Sequence, residues 1–91
     1  MKYTIETTKR FNKGLERSKR RGLDIQNLWD VVGIIAAGEP LPAKYIDHKL
    51  QGQYDGYREC HIQPNWLLIY KIEDDKLILT LTNTGSHADL F

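Results

Sequence analysis

Three histidines, His48, His61 and His87, can give or take a proton near neutral pH, since an unperturbed imidazole has a pKa of about 6.5. A phosphodiester cleaved through its own 2′-hydroxyl needs a base for that hydroxyl, an acid for the departing 5′-oxygen, and positive charge around the phosphate. Histidines with arginine or lysine nearby supply all three, and Lys49 and Lys71 are the simplest candidates for contacts to a phosphate backbone. Spacing alone does not separate this reading from three scattered, hydrogen-bonded histidines. Zinc is not expected: the separations from His48 to His61 and from His61 to His87 match no compact ligand pattern. Cys60, beside His61 on a strand, would also point to the opposite face. No cofactor is expected either.

The elements that must position these residues are legible from periodicity. Lys2 to Glu6 alternates as a short strand, and Thr7 or Thr8 can cap a helix running to about Arg21 and ended by Gly22. Asp24 can cap a second helix, from Ile25 to about Ala37, with a broad apolar face and a stop at Gly38. Glu39 to Gly56 reads as loop. Three strands follow, Tyr57 to Gln63, Trp66 to Glu73 and Lys76 to Asn83, joined by turns at Pro64-Asn65 and Asp74-Asp75. The order β-α-α-β-β-β predicts an α+β fold: a two-helix hairpin packed on one face of a mainly antiparallel sheet.

At 91 residues, 41% hydrophobic and 27% charged, the chain has the size and composition of one domain spanning residues 1–91, not of a disordered or membrane protein. Its apolar stretches fall far short of the roughly 20 residues a membrane span needs. An N-terminus without an apolar signal-like run and a single cysteine, Cys60, both fit a cytoplasmic protein.

The net charge of +1 hides an asymmetry. Residues 1–22 carry eight basic and two acidic side chains, whereas the remainder carries five basic and ten acidic. On a helix, Lys9, Arg10, Lys13, Arg17, Arg20 and Arg21 fall within an arc of roughly 120°. Such a stripe can simply be a solvated face. Its concentration favours a polyanionic partner, and ribosomal RNA is the one proposed from the resemblance below.

Three motifs in register carry a resemblance. The stretches Asp47-His48-Lys49-Leu50-Gln51-Gly52, Gly56-Tyr57-Arg58-Glu59-Cys60-His61-Ile62-Gln63-Pro64-Asn65-Trp66-Leu67-Leu68-Ile69-Tyr70-Lys71 and Thr84-Gly85-Ser86-His87-Ala88-Asp89-Leu90-Phe91 resemble the YafQ branch of the RelE-type toxins of bacterial toxin–antitoxin systems. The resemblance implies a ribosome-dependent endoribonuclease that cuts messenger RNA in the decoding site and is silenced by a cognate antitoxin. It implies that His48, His61 and His87 are catalytic and that Trp66 and Phe91 are aromatics tied to activity. Asn65 departs from the family pattern, which has aspartate in a Pro-Asp-Trp triplet. An amide cannot serve as a carboxylate base, but it can orient a histidine or the substrate by hydrogen bonding. With the carboxylate gone, His48 is assigned as base, His87 as acid and His61 as stabiliser of the phosphate. Exchanging base and acid fits the sequence equally well. No direct DNA binding is expected, because in such systems it resides in the antitoxin.

Two residues keep two readings. Arg58 shares a strand face with Cys60 and Ile62, so it is either a partly buried ion-pair residue or a phosphate clamp. Trp66 either fills the core or stacks on a base. The competing functions are a non-catalytic binder like the ParE-type gyrase inhibitors of the same architecture, and an attenuated toxin weakened by Asn65. A pure binder has no need of three histidines in nuclease positions.

Overall fold

Helix starts and stops lie where the capping residues place them. In the computed structural model, which describes residues 1–91, Thr8 Oγ1 accepts from the Phe11 amide at 3.0 Å and donates to the Thr82 carbonyl at 2.6 Å. It therefore both caps a helix and pins that helix to a strand. The helix, α1, spans Lys9–Arg20, and Gly22 turns the chain with φ of +78°. Asp24 accepts from the Gln26 amide at 3.0 Å to start α2, Ile25–Ala36, which buries Leu28, Val31, Val32, Ile35 and Ala36.

The remaining elements are β1 (Thr4–Thr7), β2 (His48–Lys49), β3 (Arg58–Gln63), β4 (Trp66–Glu73), β5 (Ile78–Gly85) and a short helix, α3 (His87–Leu90). They form one five-stranded sheet in the order β1-β5-β4-β3-β2, in which β1 runs parallel to β5 and every other pair is antiparallel. The expected α+β fold and three-stranded meander are therefore present. The structure adds three things to that expectation. The stretch from Glu39 to Gly56 holds β2 and two 3₁₀ turns, Ala43–Tyr45 and Gly52–Tyr54, and the tail is helical rather than loose.

Both faces of β4 are covered, so it reads as a continuous apolar run from Trp66 to Tyr70. On one face Trp66, Leu68 and Tyr70 pack with Phe11, Leu28, Val31, Val32, Ile35, Cys60, Leu79 and Leu81 beneath the two long helices. On the other, Leu67 and Ile69 pack with Leu90 of α3 and with Leu50, Tyr54 and Tyr57. Cys60 is fully buried, as expected for an inert thiol, and burial pushes its pKa up to about 12.

α1 lies unusually close to β5. A Cβ on Gly14 would stand 2.3 Å from the Thr84 carbonyl oxygen, so only glycine fits there. In an exposed helix, Gly→Ala gains about 1 kcal/mol of propensity. Overpacking a tight contact costs roughly 1–3 kcal/mol, so Gly14→Ala is expected to destabilise the fold by about 1–2 kcal/mol in urea unfolding rather than stabilise it.

Candidate active site

The second face of the sheet gathers the three histidines from three separate elements. His48 lies on edge strand β2, its residue paired with Glu59 of β3; His61 lies two residues further along β3; His87 opens α3. The ring centroids are 6.4 Å apart for His48 and His61, and 5.8 Å for His61 and His87. Strand alternation puts Glu59 on the same face as His61. Its Oε1 is 3.5 Å from His48 Nε2 and 3.8 Å from His61 Nε2, while its buried Oε2 has no hydrogen-bond partner. Sequence reasoning gave Glu59 no task. The available signal was its i−2 relation to His61 on one strand.

Two of the histidines have a defined proton position. His48 Nδ1 lies 2.8 Å from the Ile46 carbonyl oxygen, and an oxygen that can only accept requires a proton on Nδ1. Nε2 therefore turns toward Glu59. Asn65 Oδ1 accepts from the His87 backbone N–H at 3.3 Å and lies 3.2 Å from His87 Nδ1, which fixes the same assignment for that ring. Of the two roles open to Asn65, the structure shows the contact that orients a histidine. In both rings Nε2 makes no hydrogen bond within the chain, as proton exchange with a substrate requires.

His87 stands on a built platform. Ser86 caps α3 in a reciprocal box with Asp89, whose carboxylate accepts from the Ser86 amide at 2.8 Å. The same carboxylate takes two bonds from Arg21, at 2.6 and 3.1 Å, and a 3.5 Å ion pair from Arg17. Gly85 is obligatory beneath it, since a Cβ there would lie 2.7 Å from the Asp89 Cβ. The Arg21 guanidinium, followed by the Ser86 amide, holds the Asp89 carboxyl well below the usual carboxylate range.

Several expectations need correction. Arg17 and Arg21 do not form a free RNA-facing stripe, because both are engaged with Asp89 and Arg17 Nη2 also donates to the Thr84 carbonyl at 3.0 Å. Lys9, Arg10, Lys13 and Arg20 remain exposed on α1. Trp66 does not stack on a base: it is 2% exposed and its indole N–H donates to Thr84 Oγ1 at 3.1 Å. Arg58 is not a phosphate clamp, since it donates to Asp47 Oδ2 at 2.9 Å on the helix-covered face. By contrast, Phe91 is 62% exposed with its ring edge-to-face on Tyr54 at 5.8 Å. Tyr54 continues to Tyr57 at 6.1 Å, and Lys71 Nζ lies 5.5 Å from the Tyr57 ring centre. Lys49, next to His48, is exposed.

Donor atoms of Glu59, His61 and His87 lie within 4.8 Å of one another, a group that has the chemistry to hold a transition metal. Spacing could not reveal it, because β3 and α3 are far apart in sequence.

The model of the family described as "Bacterial toxin of type II toxin-antitoxin system, YafQ" matches residues 3–91. The chain belongs to the YafQ toxin family. It is 39% identical to the mRNA interferase toxin YafQ of Escherichia coli K12 over 88 residues, covering 96% of this chain and 94% of that one. Among solved structures, a metal-bound toxin from Helicobacter pylori superposes with a TM-score of 0.92 at 44% identity, covering 98% of this chain and 99% of that one. YafQ in the E. coli DinJ–YafQ toxin–antitoxin complex superposes at 0.89 with 37% identity, covering 100% and 99%. The fold is thus that of a YafQ-family toxin.

Because Asp89 is ionised in the native state at a pH where an ordinary aspartate would be protonated, its clamp contributes stability above the ordinary carboxylate pKa and loses it as pH falls. Asp89→Ala is accordingly expected to lower the melting temperature at pH 7, with the gap from the parent closing as the pH is taken down through 4 toward 2. Thermal melts followed by circular dichroism across that range check this.

Proposed function

We propose that this chain is an mRNA interferase acting on ribosome-bound message, that it cleaves by acid–base chemistry through the RNA 2′-hydroxyl, and that a cognate antitoxin neutralises it. Its curated relative is named an mRNA interferase toxin, and a relative of known structure is complexed with the antitoxin DinJ. The observation that carries the mechanism is the pair of Nε2 atoms on His48 and His87 left without a hydrogen bond in the chain, each ring having its Nδ1 proton held elsewhere.

In this scheme His48 Nε2 takes the proton from the 2′-hydroxyl. The freed oxygen attacks phosphorus, the P–O5′ bond breaks, and His87, entering the step as the imidazolium with Nδ1–H still on Asn65, gives its Nε2 proton to the departing 5′-oxygen, leaving a 2′,3′-cyclic phosphate and a 5′-hydroxyl. Glu59 favours His48 as the base, because a carboxylate 3.5 Å from Nε2 stabilises the imidazolium that forms when the proton arrives. His61, between the two rings, is placed for the phosphate oxygens. Asn65 holds the acid in place without a charge of its own.

Phe91 and Tyr54 offer an aromatic platform for a base beside the histidines, and Lys49 and Lys71 flank it. The exposed Lys9, Arg10, Lys13 and Arg20 supply phosphate contacts for docking on ribosomal RNA. An antitoxin would cover part of this surface with a segment of opposite charge. A gyrase-binding role without catalysis leaves the converging histidines and the buried Glu59 without a purpose.

Cleavage mapped by primer extension on translating ribosomes tests the reading. His87→Ala is expected to lose on the order of 10²–10⁴-fold in rate while ribosome binding persists; cleavage unchanged by that substitution would exclude the mechanism. No step uses a metal, so chelation followed by restoration of the ribosomes' magnesium is expected to leave cleavage intact. Added zinc is expected to inhibit, because binding to Glu59, His61 and His87 would occupy the groups that the reaction uses and displace the proton His87 must give.

A further inference from the structure

His48 occupies a strand only two residues long, too short for its ladder alone to hold the ring. Its neighbours on either side are fixed by stronger means. Ile46 adopts the left-handed conformation, φ 49° and ψ 48°, which a β-branched residue enters only when its surroundings impose it. That turn aims the Ile46 carbonyl at His48 Nδ1, 2.8 Å away. Asp47, between them, sends its side chain to the other face of the sheet. There its carboxylate accepts from Arg58 Nε at 3.3 Å, from Arg58 Nη2 at 2.9 Å and from the Tyr70 hydroxyl at 2.5 Å. Arg58 and Tyr70 are themselves register partners on β3 and β4, so Asp47 is anchored to two inner strands of the sheet.

We infer that the Arg58–Asp47–Tyr70 clamp and the left-handed Ile46 act together as a positioning device for His48, holding its proton on Nδ1 and its Nε2 toward Glu59 and the reacting hydroxyl. Asp47, Arg58 and Tyr70 touch no substrate in this scheme; they are positioning residues that act through His48 from behind the sheet. Its link to catalysis rests on the nuclease reading above, but the tautomer does not depend on it. The two donors of the clamp also hold their protons firmly. Burial and then the bond to Asp47 push the Tyr70 phenol well above its ordinary range, and Asp47 raises the Arg58 guanidinium further. Both donors therefore keep their protons wherever the enzyme works.

Misplacing a catalytic group by about 1 Å costs on the order of 10²-fold in rate, and the clamp is the kind of remote support whose loss produces such a shift. Two measurements on the full chain test the inference. Long-range ¹H–¹⁵N correlation spectra of the free protein are expected to show His48 as the Nδ1–H tautomer, and to show a mixture with the Nε2–H form in Asp47→Ala and in the milder Tyr70→Phe. Ribosome-coupled cleavage is expected to show kcat reduced on the order of 100-fold in Asp47→Ala and less in Tyr70→Phe, with KM unchanged. Ile46→Pro, confined to negative φ, is expected to lose both the Nδ1–H spectrum and kcat. A parent protein with the proton on Nε2, or a His48 spectrum indifferent to both clamp substitutions, overturns the inference. A tautomer that shifts with no change in kcat overturns its link to the reaction. If the tautomer shifts as expected and not even the parent protein cuts message, the nuclease reading fails and the positioning of His48 stands.

Discussion

Thr84 is the junction on which the two halves of this structure meet. Its buried hydroxyl donates to the Leu67 carbonyl at 2.7 Å and accepts from the Trp66 indole at 3.1 Å, which ties β5 to β4 on the helix face. Its carbonyl receives Arg17 and forms the wall that keeps Gly14 from being anything larger. Immediately after it the chain crosses to the other face through Gly85 and Ser86 and delivers His87. A buried hydroxyl left without a partner is costly, so each of these contacts is required by the others. The helix layer, the central strand pair and the platform of His87 are therefore registered to one another through a single threonine.

Covering both faces of a sheet with 91 residues forces a division of labour. The larger face receives two twelve-residue helices and most of the apolar side chains. The smaller face receives only a four-residue helix, a few aromatics and the loop that carries β2. Polar chemistry settles on the thinner side because the ends of β3 and β5 are not roofed there. Even so, the site is anchored from the thicker side: Asp47 reaches through to Arg58 and Tyr70, and Asp89 is held by the arginines of α1.

What the sequence reveals and what it conceals divide along the same line. Local signals were strong enough to place both long helices to within a residue, because Thr8 and Asp24 are true caps and Gly22 and Gly38 true stops. The meander followed from alternation and from the turn residues Pro64-Asn65 and Asp74-Asp75. The two-residue β2 and the single turn of α3 carry too few periods to be seen, so both were hidden although both bear histidines. The histidines themselves stood out by type and by resemblance. Glu59 did not, since a carboxylate on a strand is ordinarily a solvated one and only the fold shows that this one is 4% exposed. The basic stripe misled in the opposite sense: charge arithmetic counts Arg17 and Arg21 as free, while a single aspartate 68 residues beyond Arg21 claims both.

The three histidines come from an edge strand, an inner strand and a terminal helix, and no two of them approach one another through local structure. An unfolded or half-folded chain has no partial site. Activity is then proportional to the native population, and for a domain of this size that population rests on a margin of roughly 5 kcal/mol. For a protein whose effect on its host depends on the number of competent molecules, conformational stability acts as a control of dose: losing about 1–2 kcal/mol anywhere in the sheet multiplies the unfolded fraction open to proteolysis, and so lowers the standing amount of poison.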